Sequence, residues 1–349
     1  MNKLDTLWYT HSPDPTGLGL AALSGRLVDA FRTAGTQIQA LRESCDKEVR
    51  EAHFDHHLSN SVRHGGNIPA IWARAEGRPT RLLAMSWIDE VQLIVTTPET
   101  GIKSIKELRN KRFGLPKWAD VQIDFLRARA LRGLENALRL EAMEVSDMEL
   151  VDYPYGGTYS DAPSRYTGDP LGSLRRRRRR RNQELIGLLR GDIDAIYLKG
   201  AHGAQLVDEF GLEVIMDVGS HPDPLVRSNV GTPRTLTVDQ HLIDHHPDAV
   251  RVILETLLQT ERWAWSHPEE TRNMVARSLN CSEYWAVAAY GADLHQRFHS
   301  NLDEGSIRSL QSLADFLARW GFTSSSFNIQ DWIDPQPMQK LLRTVHAAS

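Results

Sequence analysis

LDTLWYTHSPDPTGLGLAALSGRLVDAFRTAGTQIQAL, residues 4–41, reads as strand, loop, helix and strand in succession. Leu4–Thr10 is a short apolar and aromatic run, and His11-Ser12-Pro13-Asp14-Pro15 closes it with a turn signal. From Thr16 to Ala34, the residues Leu18, Ala21, Ala22, Leu27 and Phe31 recur at roughly helical spacing until Gly35 stops the run. Gln37–Leu41 reads as the next strand. A strand, a crossover helix and a second strand point to a parallel sheet with helices on its faces.

The same alternation continues outward. Asp46–Phe54 reads as a helix, Ser59–Pro69 as a glycine-bearing loop and Ile68–Ala75 as a further helix, with strands at Arg81–Trp87 and Val91–Thr97. After the turn at residues 98–101, Ser104 is placed to cap a short helix, and strand and helix patterns alternate again up to Asp217. From Pro247 onward the pattern is mainly helical, with a junction at Ser266-His267-Pro268, where the residue before proline resists the helical conformation. The expectation is an α/β chain of two lobes with parallel-rich sheets flanked by helices. Residues 1–95 plus 220–349 form the first lobe and 96–219 the second, with a ligand cleft between lobes at the strand ends.

A chain of 349 residues is long for one core, and 41% hydrophobic with 25% charged residues is a globular composition. The formal net charge of -4 argues against a general affinity for nucleic acid. The run Arg175–Arg181, beside the Gly/Pro/Ser/Tyr-rich stretch 154–173, therefore reads as a solvated insertion. Cys45 and Cys281 are too few and too far apart for a disulfide framework or a zinc site, and read as reduced structural thiols. The opening residues show no apolar segment after Lys3, and no stretch has the length of a membrane-spanning helix. A cytoplasmic monomer without membrane insertion is expected, or a periplasmic one if a leader precedes it.

Two segments resemble the sulfonate, nitrate and taurine binding proteins of ABC transporters: IKSIKELRNKRFGLP at 102–116 and ELIGLLRGDIDAIYLKG at 184–200. Three shorter ones resemble the hydroxybiphenyl sulfinate desulfinase family, which is built on the same fold: YTHSPDPTGLGLAALSG at 9–25, AHFDHHLSNSVRHGGNIPAIW at 52–72, and FLARWGFTSSSFNIQDW at 316–332. The resemblance implies a type II periplasmic-binding-protein-like fold and a desulfinase-like activity on a small organic anion, an aryl sulfinate, sulfonate or carboxylate, with no organic cofactor. The alternative it implies is a non-catalytic substrate-binding protein of a transporter. The family's His-Phe and Arg-x-Gly-Gly-x-Ile-Pro are matched by His53-Phe54 and by Arg63-His64-Gly65-Gly66-Asn67-Ile68-Pro69. The family's reactive cysteine is Ser12 here, so chemistry that needs a thiol does not carry over.

The residues themselves fit an anion site. The Arg63 guanidinium offers a planar fork of donors for a sulfinate, sulfonate or carboxylate, against the plainer reading of a solvated arginine. Gly65 and Gly66 would let the backbone approach the same anion. His53 can serve as acid, base or hydrogen-bond anchor. Ser12 can be a nucleophile, a proton donor or a ligand-binding hydroxyl. His11 and Phe54 adjoin these residues, and Trp118 supplies an aromatic face for an aryl group. Asp124, Tyr197 and Lys199 come from segments expected to face the cleft, whereas Trp8, Trp72, Trp87, Trp263 and Trp265 read as core. His53, Asp55, His56 and His57, and likewise Asp244-His245-His246, have spacings that could chelate, but they lack a regular zinc motif, and no metal is assigned.

Overall fold

In the computed structural model, which describes residues 4–32, 34–156 and 182–348, the 4–41 segment folds as strand, two short helices and strand. Strand β1 (Thr6–His11) leads into α1 (Gly17–Leu23) and α2 (Arg26–Arg32), then β2 (Gln37–Ala40). The single expected helix is broken at Gly25, whose φ of +78° no helical residue can adopt. The chain continues through α3 (Lys47–Asp55), β3 (Ser61–Gly65), α4 (Asn67–Ala75) and β4 (Thr80–Ser86). Then follow β5 (Gln92–Thr96), β6 (Arg112–Trp118), α5 (Phe125–Arg139), β7 (Glu149–Tyr155), β8 (Ala195–Lys199), β9 (Glu213–Asp217), β10 (Arg234–Asp239) and the two-residue β11 (Ser300–Asn301). The arginine run lies outside the described residues. Among the described residues, no helix is long and apolar enough to cross a membrane.

The chain divides into two compact units: Met1–Ile88 with Val230–Val287 and Gly291–Ser349, and Asp89–Asn229 with Ala288–Tyr290. The first unit holds a sheet in the order β11-β4-β10-β3-β1-β2, and the second a sheet in the order β7-β6-β8-β5-β9. Strand β5, placed at the end of the first block by its sequence, is paired in the second sheet with β8 and β9.

Both sheets are mixed and rich in strands of one direction, as expected: β1, β2, β3 and β4 run one way in the first, and β6, β7, β8 and β9 in the second. In the first, β1 runs parallel to β2 and β3. The returning chain then inserts β10 antiparallel between β3 and β4. Three strands of this sheet were misread or missed: β3, β10 and the two-residue β11, which lies in the stretch read as mainly helical. β3 falls inside the expected 59–69 loop. Its five residues, Ser-Val-Arg-His-Gly, are all buried although three of them are polar, so they lack the alternation of a half-exposed strand. β10 shows that alternation, with Leu236 and Val238 between Thr235 and Thr237, and was legible by its period of two.

Alternation along β1, β3 and β10 splits the first sheet into an apolar and a polar face. Leu7, Val62, Leu236 and Val238 pack into a core with Leu18, Phe31, Ile253 and Leu257 from the helices on one side. The opposite face carries Thr10, Arg63 and Thr237 in one row, since Thr10 pairs with Arg63 and Arg63 with Thr237. The tryptophans expected to fill core do not: Trp265 is 60% exposed, the other four are only partly buried, and Trp332 is the one with no exposure. Both cysteines are free, Cys45 exposed and Cys281 half-buried, so neither is a buried core thiol.

In the second unit, Leu93, Val95, Ile196 and Leu198 of adjacent strands form a core with Leu185 and Leu188. Helix α5 crosses this unit with Gly133 against the Tyr197 ring. A Cβ at position 133 would lie 2.2 Å from the ring. The ring cannot swing aside freely, because its hydroxyl donates to Gln92 Oε1 (3.1 Å) and accepts from Asn229 Nδ2 (3.1 Å). Alanine in a helix interior is favoured over glycine by about 1 kcal/mol, but overpacking here outweighs that gain. Gly133→Ala is expected to lower the unfolding free energy by about 1–3 kcal/mol, read as an earlier urea midpoint. An unchanged or later midpoint would mean the ring is not held as described.

Candidate functional site

Seven of the eight sequence-derived site residues lie together in the first unit, at the C-terminal ends of β1 and β3 and on α3. Helix α3 is capped at its start by the Asp46 side chain, which accepts from Glu48 N (2.9 Å). It ends at His56 in the left-handed conformation (φ +54°). Its last turn lies over the polar face of the sheet. His53 Nδ1 is hydrogen-bonded to Thr10 Oγ1 at 2.5 Å. The His53 carbonyl accepts from Arg63 Nε at 3.1 Å. Phe54 is buried and meets the His53 ring edge-on, with 4.5 Å between centroids.

Arg63 is 3% exposed, and its Nη1 is buried with no hydrogen-bond partner. Among the described residues it has no carboxylate partner. It is the reverse of the solvated arginine that was its alternative reading. Burial lowers its pKa to about 9, which leaves it a cation at neutral pH. Three histidines near it are held neutral. Burial first, and the Arg63 charge second, push His53 and His56 well below the ordinary histidine value. Burial, followed by Arg234 and Arg63, brings His64 down to about 3. His64 uses both ring nitrogens structurally: Nδ1 accepts from Leu18 N (3.4 Å) and Nε2 faces Ser86 Oγ (3.0 Å). The site is thus a desolvated positive charge among neutral imidazoles, an environment that favours an anion.

Ser12 continues the β1 ladder, its N–H donating to the His64 carbonyl (3.2 Å). Its hydroxyl donates to Asp14 Oδ2 (3.1 Å) and accepts from Asp14 N (3.4 Å). No hydrogen bond joins Ser12 to His53, so the pair is not assembled as a serine–histidine dyad. His11 turns the other way, donating through Nδ1 to the Ser12 carbonyl (2.7 Å). Burial lowers its pKa more than that bond raises it.

The two glycines are favoured by space and not by φ, since neither has a positive value. A Cβ at Gly65 would lie 3.1 Å from both Ser12 N and Ser12 Cβ, and one at Gly66 would lie 2.9 Å from the Val230 carbonyl oxygen. Gly66 is the N-cap of α4.

Trp118 is in the second unit, at the end of β6, half-buried and tilted against Phe125 (6.5 Å) and Tyr155 (6.0 Å). Asp124 holds the Trp118 backbone N–H (2.6 Å) and caps α5. Tyr197 is buried, and Lys199 is half-buried with its side chain covered and paired with Glu90, so both serve the packing of that unit. The histidine-rich candidates for metal chelation are dispersed: His53 is on Thr10, His57 Nδ1 is on Asp55 (2.6 Å), and His56 Nε2 is buried without a partner. The sequence reading missed Thr10, His64, Thr235 and Thr237. The signal for Thr10 was its place two residues before Ser12, on the same strand face.

No protein-family model and no curated protein matches the chain. Solved structures do. A Cys-to-Ser mutant of the desulfurisation enzyme DszB in complex with biphenyl-2-sulfinic acid is similar with a TM-score of 0.72 at 22% identity, over 97% of this chain and 99% of that one. The periplasmic aliphatic sulphonate binding protein SsuA from Escherichia coli is similar with a TM-score of 0.64 at 13% identity, over 95% and 92%. A Candida albicans protein described as having the generic periplasmic binding protein fold gives 0.58 at 10%, over 95% and 97%. The fold of this chain is that of the periplasmic binding proteins.

The buried histidines give the stability a definite pH dependence. Their folded pKa values lie below the unfolded value near 6.5, so the unfolded chain binds protons that the native chain refuses. Stability is therefore expected to fall as pH drops below about 6.5. His64 alone contributes roughly 3 kcal/mol of loss by pH 4, at about 1.4 kcal/mol per unit. Urea midpoints at pH 7.5 and 4.5 test this. His64→Gln, whose amide can still reach Leu18 N and Ser86, is expected to shrink the difference between them, and an undiminished difference would remove His64 as its source.

Proposed function

We propose that this protein is a desulfinase-like hydrolase that acts on a small aryl sulfinate held by Arg63. The observation that carries the reading is the Arg63 guanidinium, buried with Nη1 unpartnered and no carboxylate beside it. A buried cation left without a counter-charge is strongly destabilising, and an anionic ligand supplies what is missing. The fold's neighbours make a sulfur oxyanion the first candidate, since one is described with biphenyl-2-sulfinic acid and another as a sulphonate binder.

The reaction balances with water alone. The bond between the ring carbon and sulfur breaks, the carbon gains a proton, and water's hydroxide joins the sulfur to leave bisulfite. In this scheme Arg63 holds the sulfinate oxygens. His53, neutral and anchored on Thr10, accepts or returns a proton. Ser12, with Asp14 behind its hydroxyl, occupies the reactive position, and Phe54 offers an apolar edge to the aryl ring. As an enzyme the chain would work as a cytoplasmic monomer.

One observation favours a second reading. The Ser12 hydroxyl is engaged with Asp14 and not with His53, which suits a binding protein that holds an organic anion without turnover. Such a receptor would work in the periplasm.

Sulfite release from a panel of aryl sulfinates, measured on this chain and on Ser12→Cys, separates the two. Release by this chain is the expected result. Release by Ser12→Cys alone would mean a competent scaffold disabled by serine, and binding without release by either would establish the receptor reading. Arg63→Met is expected to weaken sulfinate binding by about 30-fold or more, since an anion that loses its buried partner typically loses about 2–5 kcal/mol.

A further inference from the structure

The polar face of the first sheet holds more donors than the site described so far uses. Thr10, Arg63 and Thr237 form one row across β1, β3 and β10. In the next row, Gly65 pairs with Thr235, and Ser12 lies over Gly65 from the other side. Directly opposed residues share a face, with Cβ atoms about 5 Å apart. The side chains of Thr235 and Thr237 therefore project on the same side of the sheet as the guanidinium, Thr237 opposite Arg63 and Thr235 opposite Gly65, which carries no side chain. Both threonines have no exposure. Both hydroxyls are buried without a hydrogen-bond partner, as is Arg63 Nη1.

Three unpartnered donors on one buried patch are unusual, because buried polar groups are nearly always satisfied and leaving one unmet is costly. Leu236 and Val238, the residues alternating with these threonines, pack into the apolar core of the opposite face. The sequence thus places hydroxyls on the arginine side and hydrocarbon on the other. Valine at 235 and 237 would fill the same space without the cost.

We infer that Thr235 and Thr237 are ligand-binding residues that donate their hydroxyls to oxygens of the sulfur oxyanion seated on Arg63. The inference rests on the anion-site reading above and extends it to β10. A sulfinate or sulfonate presents several lone pairs in a desolvated site. One guanidinium whose Nε is already committed to the His53 carbonyl cannot meet them all. A threonine hydroxyl rotates to donate where it is needed. The two threonines are also held rigidly, in the middle of a sheet.

The test is calorimetric titration of the full chain with biphenyl-2-sulfinate, comparing the unaltered protein, Arg63→Met, Thr235→Val, Thr237→Val and Thr237→Ser. Each valine variant is expected to raise Kd about tenfold, the scale of a lost hydrogen bond to a charged group. Thr237→Ser is expected to restore most of the affinity. Melting temperatures of the unliganded valine variants should be unchanged or higher. Affinity that falls for Arg63→Met but stays for both valine variants would overturn this inference and leave the anion site standing. Unchanged affinity together with lower melting temperatures would assign the hydroxyls to structural water instead, and would overturn it too. Sulfinate binding that is absent, or indifferent to Arg63, would remove the anion-site reading itself and this extension with it.

Discussion

A guanidinium taken out of water without a counter-ion constrains everything around it in the first unit. Arg63 is held at Nε by the His53 carbonyl, and that bond fixes the last turn of α3 over the sheet. Protonation of the neighbouring imidazoles is disfavoured. Burial already disfavours charge on His53, His56 and His64, and the Arg63 charge pushes the same way. The result is a buried guanidinium among neutral imidazoles, within a chain whose formal net charge is negative.

The sheet makes this arrangement possible by dividing its two faces so sharply. Parallel pairing of β1 with β3 aligns Thr10 with Arg63 and His11 with His64, while antiparallel pairing with β10 aligns Arg63 with Thr237. Because alternate residues change face, a one-residue slip in either register would drive Arg63 into the apolar core beside Leu236. The core contacts of Leu7, Val62, Leu236 and Val238 therefore set the position of the guanidinium as firmly as its own hydrogen bond does. The two glycines add to this control. Gly66 lets the Val230 carbonyl approach closer than a Cβ would allow, and Gly65 lets Ser12 come so near that a Cβ would have to push it back by a few tenths of an ångström.

Much of this was readable from residues 4–41 and from two short motifs. The β-α-β opening gives the α/β class. His53-Phe54 and Arg63 to Pro69 marked the patch that α3 and β3 bring together. What was not readable has specific causes. β3 is buried on both faces and polar, so it read as a loop. β10 alternated correctly but lies outside the motifs, so Thr235 and Thr237 went unnoticed. The break at Gly25 depends on a positive φ, and a glycine near the end of an apolar run does not announce that on its own. The partners of Ser12 also could not be read: a serine two residues before an aspartate suits a local turn or a distant histidine equally well, and the turn won.

That local turn bears on the chemistry. A serine hydroxyl is far less acidic than a carboxylic acid, so Asp14 can orient and polarise the Ser12 hydroxyl but cannot deprotonate it to a useful extent. The hydroxyl's natural part is then to pass or hold a proton and not to attack as an alkoxide. His53 fits the complementary part only once an anion is present. In the empty site its imidazole is held neutral by burial and by Arg63. An arriving oxyanion offsets the Arg63 field and makes protonation of His53 less unfavourable. Under the proposed reading, anion binding and proton uptake would be coupled through His53, and replacing sulfur by hydrogen on an aryl carbon would require both. The same coupling would serve a receptor as pH-dependent affinity, so it is turnover, and not binding, that separates the two readings.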